Sequence, residues 1–185
     1  MRVIAVIPAR MASSRFPGKP MALIHGMPMI GHCYERIRRC PDLTDTYVAT
    51  CDQEIFDYLR SIGGNVVMTA DTHERASDRA AEAMLKIEDQ TKEKTDILVM
   101  VQGDEPMDTP QMVSEALQPM LNDDQVNIVN LMAKITGVEE FEDVNTVKVV
   151  TNPDGDALYF SREAVPSRAK WSGDVPMQKQ VCVIP

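Results

Sequence analysis

Met1-Arg-Val-Ile-Ala-Val-Ile-Pro-Ala-Arg10 and its continuation, Met11-Ala-Ser-Ser-Arg-Phe-Pro-Gly-Lys-Pro20, decide the fold. The run Val3 to Ile7 is apolar and rich in β-branched side chains. That is the pattern of a strand covered on both faces, and such strands belong to parallel sheets. Open parallel sheets bind ligands beyond the carboxyl ends of their strands. Here that end runs into a loop with Arg10, Arg15 and Lys19 set around Ser13, Ser14 and Gly18. Cations beside free backbone amides offset polyphosphate charge, and Gly18 lets the main chain come close. The loop lacks both the Gly-x-x-x-x-Gly-Lys-Ser/Thr spacing of the P-loop and the Gly-x-Gly-x-x-Gly dinucleotide fingerprint. On charge alone it reads equally well as a solvated turn; the ordered spacing is what favours a ligand.

Outward from this strand the periodicity alternates. Met29 to Cys40 is expected to be a helix with Ile30, Cys33 and Ile37 on its apolar face, basic residues late, and Pro41 as its stop. Thr46 to Thr50 reads as a strand, Gln53 to Ile62 as a helix ended by Gly63-Gly64, and Asn65 to Met68 as a strand, an order that implies a parallel sheet. Ser77 to Ile87 is expected to be helical, with Lys86 to Lys94 forming its end and a surface loop. The buried strand Ile97 to Val101 ends in Gln102-Gly-Asp-Glu-Pro106, which puts two carboxylates at the ligand-binding edge. Pro110 to Leu121 is expected to be a helix capped by Thr109. Asn127 to Lys134 returns to strand, and Val147 to Val150 and Ala157 to Phe160 flank the turn Asn152-Pro-Asp-Gly155, so this part is antiparallel or mixed. Pro166 to Pro176 reads as a mobile loop and Val181 to Pro185 as the start of a strand.

With 185 residues and 44% hydrophobic content, the chain is expected to form one domain over 1–185. A net charge of −9 and only 5% aromatic residues argue against a nucleic-acid surface, so any anionic substrate must meet local cations. Cys33, Cys40, Cys51 and Cys182 form no Cys-x-x-Cys pair, which points to reduced thiols rather than zinc or a disulfide framework. No stretch approaches the roughly 20 apolar residues that span a bilayer. The first apolar run is too short for a signal core, so a cytoplasmic location is expected. His25, His32 and His73 have no evident triad partners, and direct in-line chemistry is simpler than a covalent intermediate.

The segments Ile7-Pro-Ala-Arg10, Ser14-Arg15, Pro17-Gly-Lys-Pro20, Gly26-Met-Pro-Met-Ile30, Val101-Gln-Gly-Asp-Glu-Pro106, Val147-Lys-Val-Val150 and Ala157-Leu-Tyr-Phe-Ser-Arg162 are together similar to the 3-deoxy-manno-octulosonate (Kdo) cytidylyltransferase family. The resemblance spans nearly the whole chain. It implies the α/β class, in a Rossmann-like three-layer nucleotide-diphospho-sugar transferase fold: a mostly parallel central sheet with an additional antiparallel hairpin. It also implies transfer of CMP from CTP to the hydroxyl of Kdo or a related ulosonate, with pyrophosphate released and Mg2+ as cofactor. The implied partners are CTP, a sugar-acid acceptor and a second copy of the chain, with no nucleic acid and no membrane.

By the same resemblance Arg10 and Lys19 would grip the outer phosphates, with Arg15 beside them, and Asp104 would hold magnesium. Without the neighbouring pattern, Asp104 reads equally as a turn or cap aspartate. Pro8, Ala9 and the segment His73 to Arg79, with Ser77 and Arg79, would read the cytosine edge, while Ser77 reads equally as a helix N-cap. Gln102 would orient nucleotide or sugar. Arg162 would pair with the sugar carboxylate. Lys148 is a second candidate there, and reads otherwise as a charge on the exposed face of an alternating strand.

The chain departs from the family pattern at Arg75-Ala76-Ser77, where Ser-Gly-Thr is usual, and at Gln180, Cys182 and Ile184, where the usual pattern is His-x-Gly-x-Tyr. The family also extends several tens of residues further, into a segment with a second metal-binding aspartate, which this chain is expected to lack. Two alternatives therefore stand beside Kdo transfer. One is CTP-dependent transfer to another acceptor, such as a small phosphonate; the other is a truncated nucleotide-binding module without catalysis.

Overall fold

The computed structural model describes residues 1–12, 16–167, 177–181 and 183–184. In chain order the elements are β1 (Val3–Ala9), β2 (Leu23–Ile24), β3 (Met27–Pro28), α1 (Met29–Ile37), β4 (Asp45–Thr50), α2 (Gln53–Ser61), β5 (Val66–Met68), α3 (Ala76–Thr91) and β6 (Ile97–Val101). They continue with α4 (Pro110–Asn122), β7 (Met132–Lys134), α5 (Val138–Glu142), β8 (Lys148–Thr151), β9 (Ala157–Ser161), β10 (Gln178–Gln180) and β11 (Val183–Ile184). A 3-10 turn covers Lys19–Met21. The chain divides into two compact units, Met1–Val129 with Val183–Pro185, and Asn130–Cys182.

The first unit is built on a sheet of order β11-β6-β1-β4-β5, parallel except for β11. This is the mostly parallel α/β sheet that the alternating pattern predicts. β1 lies at its centre because Val3 to Ile7 have no polar side chain to keep in water, and all five are buried. From β1 the chain advances through α1 to β4 and through α2 to β5, then returns through α3 to β6 on the other side of β1. Right-handed crossovers in opposite directions put α3 on the face opposite α1 and α2, which yields three layers. On the α3 face, Ala80, Ala83 and Ile87 pack against Ile4, Val6, Ala49 and Val67. Each of these aliphatic side chains larger than alanine contributes roughly 1.5–3 kcal/mol by leaving water.

Reversal of strand order between β1 and β6 creates a topological switch point. The β1–β4 ladder runs to Ala9 opposite Thr50, whereas the β1–β6 ladder stops at Val6 opposite Met100. A crevice opens there between the loops that follow β1 and β6, where ligands of open α/β sheets bind.

Several element ends differ from expectation. α1 closes at Ile37, a turn before Cys40, because the chain tightens through bonds such as Cys40 N–H to Ile37 O at 2.9 Å. α3 runs on to Thr91: Glu88 to Gln90 are polar but helix-competent, and the helix closes at Lys92 in the left-handed region. Arg75, not Ser77, occupies the N-cap position of α3, and Ser77 sits inside the first turn. Thr109 does cap α4, its side chain accepting from Met112 N–H. The short hairpin β2–β3 has too few residues to show a period.

The second unit is an antiparallel sheet of order β7-β10-β8-β9. The expected hairpin is present as β8 and β9, and of the strand expected over 127–134 only β7 forms. α5 closes over this sheet through a small cluster of Ile135, Phe141 and Met177. Most of the loop expected over 166–176 lies outside the described residues.

Candidate active site

The crevice at the switch point is a cleft of about 790 Å³. Its floor is the end of β1, Pro8 and Ala9; one wall is the loop with Arg10 and Lys19, another is Gln102-Gly103-Asp104 after β6, and a third is His73 to Ala76 with Arg79. Of the predicted nucleotide residues, Pro8, Ala9, Arg10, Lys19, Arg79, Gln102 and Asp104 all line it. Ser77 is exposed and is not among the lining residues, its hydroxyl lying 3.5 Å from Asp78 Oδ1. Arg15, with Ser13 and Ser14, lies outside the described residues.

Local sequence sets each wall. The loop after β1 closes on itself by Gly18 N–H to Met11 O at 3.0 Å, with Gly18 at φ 73°, a conformation L side chains rarely adopt. Met11 N–H is in turn held at 2.8 Å by Asp52 Oδ2, from the loop after β4. Lys19 therefore leaves a tight turn and meets Asp104, Nζ to Oδ2 2.8 Å, both side chains about half out of solvent or more. On the other side, the main chain at Gly103 lies so close to β1 that a Cβ there would stand 2.5 Å from Pro8 O.

Beneath the acidic loop the electrostatics are unusual. Asp108 is buried, and among the described residues its Oδ2 has no hydrogen-bond partner. Burial, reinforced by Glu105 and Asp104, pushes its carboxyl up to about 6. Cys33 lies under Gly103 with its thiol 3.6 Å from the carbonyl, and burial with the nearby Asp108 and Asp104 pushes it up to about 12. It stays a thiol and is no nucleophile. No cluster of three or more His, Cys, Asp or Glu forms a closed metal cage among the described residues.

Arg79 contributes a donor set of a different kind. The residue is 2% exposed; Nη1 bonds Thr69 Oγ1 and, at 3.2 Å, Ala70 O, while buried Nη2 has no partner among the described residues. An orphan guanidinium N–H beside a cleft is a costly feature that a ligand acceptor relieves. Arg10 is exposed and reaches His73 O at 3.4 Å.

Lys148 and Arg162 belong to the second unit. Lys148 is fully buried, which overturns the exposed-face reading: Nζ donates to the carbonyls of Asp143 at 2.9 Å, Thr146 at 2.7 Å and Arg162 at 2.5 Å. An ammonium has three donors, and all are engaged. Arg162 is exposed, with Nη1 bonded to Val144 O at 2.9 Å.

Sequence reasoning missed Asp52, which looks like an ordinary N-cap ahead of α2 but caps nothing with its side chain. It also missed Glu82, which besides Lys86 on its own helix is met by Ala70 N–H and the His73 ring from the segment after β5.

The chain resembles known proteins over its whole length. It is 44% identical to 3-deoxy-manno-octulosonate cytidylyltransferase of Geobacter metallireducens over 93% of this chain and 66% of that protein. It is 43% identical to the same-named protein of Geobacter sulfurreducens over 93% of this chain and 67% of that one. The chain thus spans about two thirds of the length of the curated relatives it matches. The solved structure of CMP:2-keto-3-deoxy-manno-octonic acid synthetase complexed with CTP superposes with a TM-score of 0.90 at 38% identity, covering 100% of this chain and 73% of that one. A cytidylyltransferase from Leptospira borgpetersenii, 20% identical, shares the fold over 70% of this chain and 53% of that one with a TM-score of 0.58. A family model described as cytidylyltransferase matches residues 4–180, from β1 through β10, and the chain belongs to that family.

Proposed function

We propose that this chain carries out CTP-dependent activation of Kdo. The acceptor hydroxyl oxygen forms a bond to the α-phosphorus of CTP, the bond from that phosphorus to the bridging oxygen breaks, pyrophosphate leaves, and the hydroxyl proton passes to solvent. The observation that carries this reading is the Lys19–Asp104 contact of 2.8 Å across the switch-point cleft. It brings a cation suited to phosphate and a hard carboxylate suited to a metal ion to one place.

Arg10 and Lys19 bind the outer phosphates and stabilise charge on the leaving pyrophosphate. The buried orphan Nη2 of Arg79, a residue that lines the same cleft as Pro8 and Ala9, suits a neutral acceptor such as the cytosine carbonyl. Gln102 orients nucleotide or sugar at the mouth of the acidic loop.

Magnesium fits this donor set in one way. Asp104 is a hard oxygen ligand with no closed cage around it, which suits an ion that keeps waters and is shared with nucleotide phosphates. Bound so, the ion supplies charge neutralisation on the phosphates. The Arg162 guanidinium is the group for the acceptor carboxylate, and Lys148 shapes the backbone that carries it through the Arg162 carbonyl.

The relatives' shared name favours Kdo over a phosphonate as acceptor. A cytoplasmic location and a homodimer belong to the same reading, by the resemblance to the family. The test is pyrophosphate release from CTP with Kdo and Mg2+. We expect turnover with Kdo, little with UTP or a phosphonate, and about a hundredfold loss in Asp104→Ala. Undiminished release by that variant overturns the proposal.

A further inference from the structure

Arg79, Glu82 and Lys86 lie one turn apart on a single stripe of α3, and each reaches the chain that leaves β5. Lys86 Nζ donates to Met68 O at 2.8 Å, and Arg79 Nη1 to Ala70 O at 3.2 Å. Glu82 accepts the Ala70 N–H at 2.9 Å, meets the ring of His73 through Nε2, and pairs with Lys86 at 2.7 Å.

β5 is a three-residue strand at the sheet edge, and the chain leaves the sheet after Thr69 N–H bonds Thr50 O at 2.8 Å. The segment that follows is one wall of the cleft: His73 to Ala76 line it, and His73 O accepts from Arg10 Nη1 at 3.4 Å. Glu82 is not among the lining residues. Its carboxylate is held down to about 2 by Lys86, the Ala70 amide and His73, so it is charged at neutral pH.

We infer that Glu82 is a positioning residue for nucleotide binding: through His73 and the Ala70 amide it fixes the wall at 70–76, and through His73 O it sets the reach of Arg10, without touching the nucleotide. The inference rests on the CTP reading given above. Its energetic logic is preorganisation. A wall tied by side chains loses less freedom on binding than one that must be ordered by the ligand, so the effect falls on affinity rather than on the chemical step.

The experiment measures CTP dissociation by calorimetry, together with KM, kcat and Tm, for the wild type, Glu82→Ala, Glu82→Gln, His73→Ala and the double variant. Glu82→Ala is expected to weaken CTP binding about tenfold with kcat within about twofold. Glu82→Gln keeps an oxygen for the Ala70 amide and recovers most of the affinity. In the His73→Ala background, removing Glu82 costs much less than it does alone, as coupled residues require. A wild type that binds CTP while both Glu82 variants bind it equally well overturns the role of Glu82 and leaves the CTP reading standing, even if Tm falls. A folded wild type that takes up no CTP overturns both.

Discussion

Lys19 and Asp104 are separated by 85 residues and meet at 2.8 Å, one from the loop after β1 and the other from the loop after β6. Neither strand order nor burial requires an ion pair there. The pair is more than a third exposed on the acid side, so its contribution to stability is at most about 1 kcal/mol. On the proposed reading, its value lies in holding opposite charges ready for a ligand that carries phosphates and a cation.

Lys19→Met therefore separates stability from function. Its Tm should change by no more than a few degrees, and CTP turnover should fall about a hundredfold. Thermal unfolding and steady-state kinetics on the same preparation read both. A variant with full turnover removes Lys19 from the phosphate site.

Gly103→Ala tests the crevice from its backbone. The new Cβ would stand 2.5 Å from Pro8 O, and a strand carbonyl cannot swing aside, so the loop must shift and carry Asp104 from Lys19. We expect a loss of roughly 1–3 kcal/mol and a larger loss of turnover. Gly31→Ala is the contrast: its Cβ would meet side-chain atoms only, the Tyr58 hydroxyl most closely and Met27 Cγ and Tyr58 Cζ at 3.1 Å, so side chains rather than a strand carbonyl must yield and turnover should fall less. Equal kinetics for the two variants contradict the crowding argument.

Which parts of this were legible in sequence follows from the range of the interactions. β1, β4 and β6 announce themselves because a buried parallel strand is a continuous apolar run, and the switch point follows from alternating strands and helices. The hairpin β2–β3 and strand β10 are two or three residues long, too short for any period. Lys148 was misread because alternation reports a face, whereas three converging carbonyls can bury a charge on any face. Ser77 was misplaced because cap preference cannot tell a cap from a first-turn residue two positions on. Asp52 and Glu82 escaped notice because an aspartate before a helix and a glutamate within one are ordinary, and only the tertiary fold brings Met11, Ala70 and His73 to them.

Asp108 predicts a pH dependence. Its folded pKa, about 6, lies above the ordinary carboxylate value, so the native state holds this proton more tightly than the unfolded chain does. Its ionisation penalty is full above pH 6 and fades as pH falls from about 6 toward 4. Asp108→Asn should raise stability at pH 7.5 by on the order of 2–3 kcal/mol and gain little near pH 4. Urea midpoints across that range decide it; a wild-type-minus-variant difference that is flat with pH contradicts the shift.

Lys148→Met tests the second unit alone. The methionine fills the space but leaves the carbonyls of Asp143, Thr146 and Arg162 without their shared donor. The Asp143 carbonyl keeps the Thr146 N–H at 3.1 Å, and Asp143 and Arg162 are exposed, so a loss of roughly 1–3 kcal/mol in all is expected. Amide exchange should rise in β8 and β9 and hold steady in β1 and β6. Uniform exchange across the chain argues that Lys148 does more than brace its own sheet.

Asp52 offers the sharpest separation of a local role from a distant one. It stands at the N-cap position of α2 with extended backbone, φ −105° and ψ 124°, where an aspartate ordinarily accepts from its own helix. Instead its Oδ2 takes the Met11 N–H at 2.8 Å, tying the loop after β4 to the loop that carries Arg10 and Lys19. If capping were its role, Asp52→Ala would cost about 1 kcal/mol of stability and leave the kinetics alone. Because the bond goes to Met11, we expect KM for CTP to rise about fivefold or more, with Asp52→Asn intermediate, since its amide oxygen still accepts but carries no charge. A lowered Tm with unchanged KM would return Asp52 to the ordinary capping role and take its bond to Met11 out of the account of CTP binding.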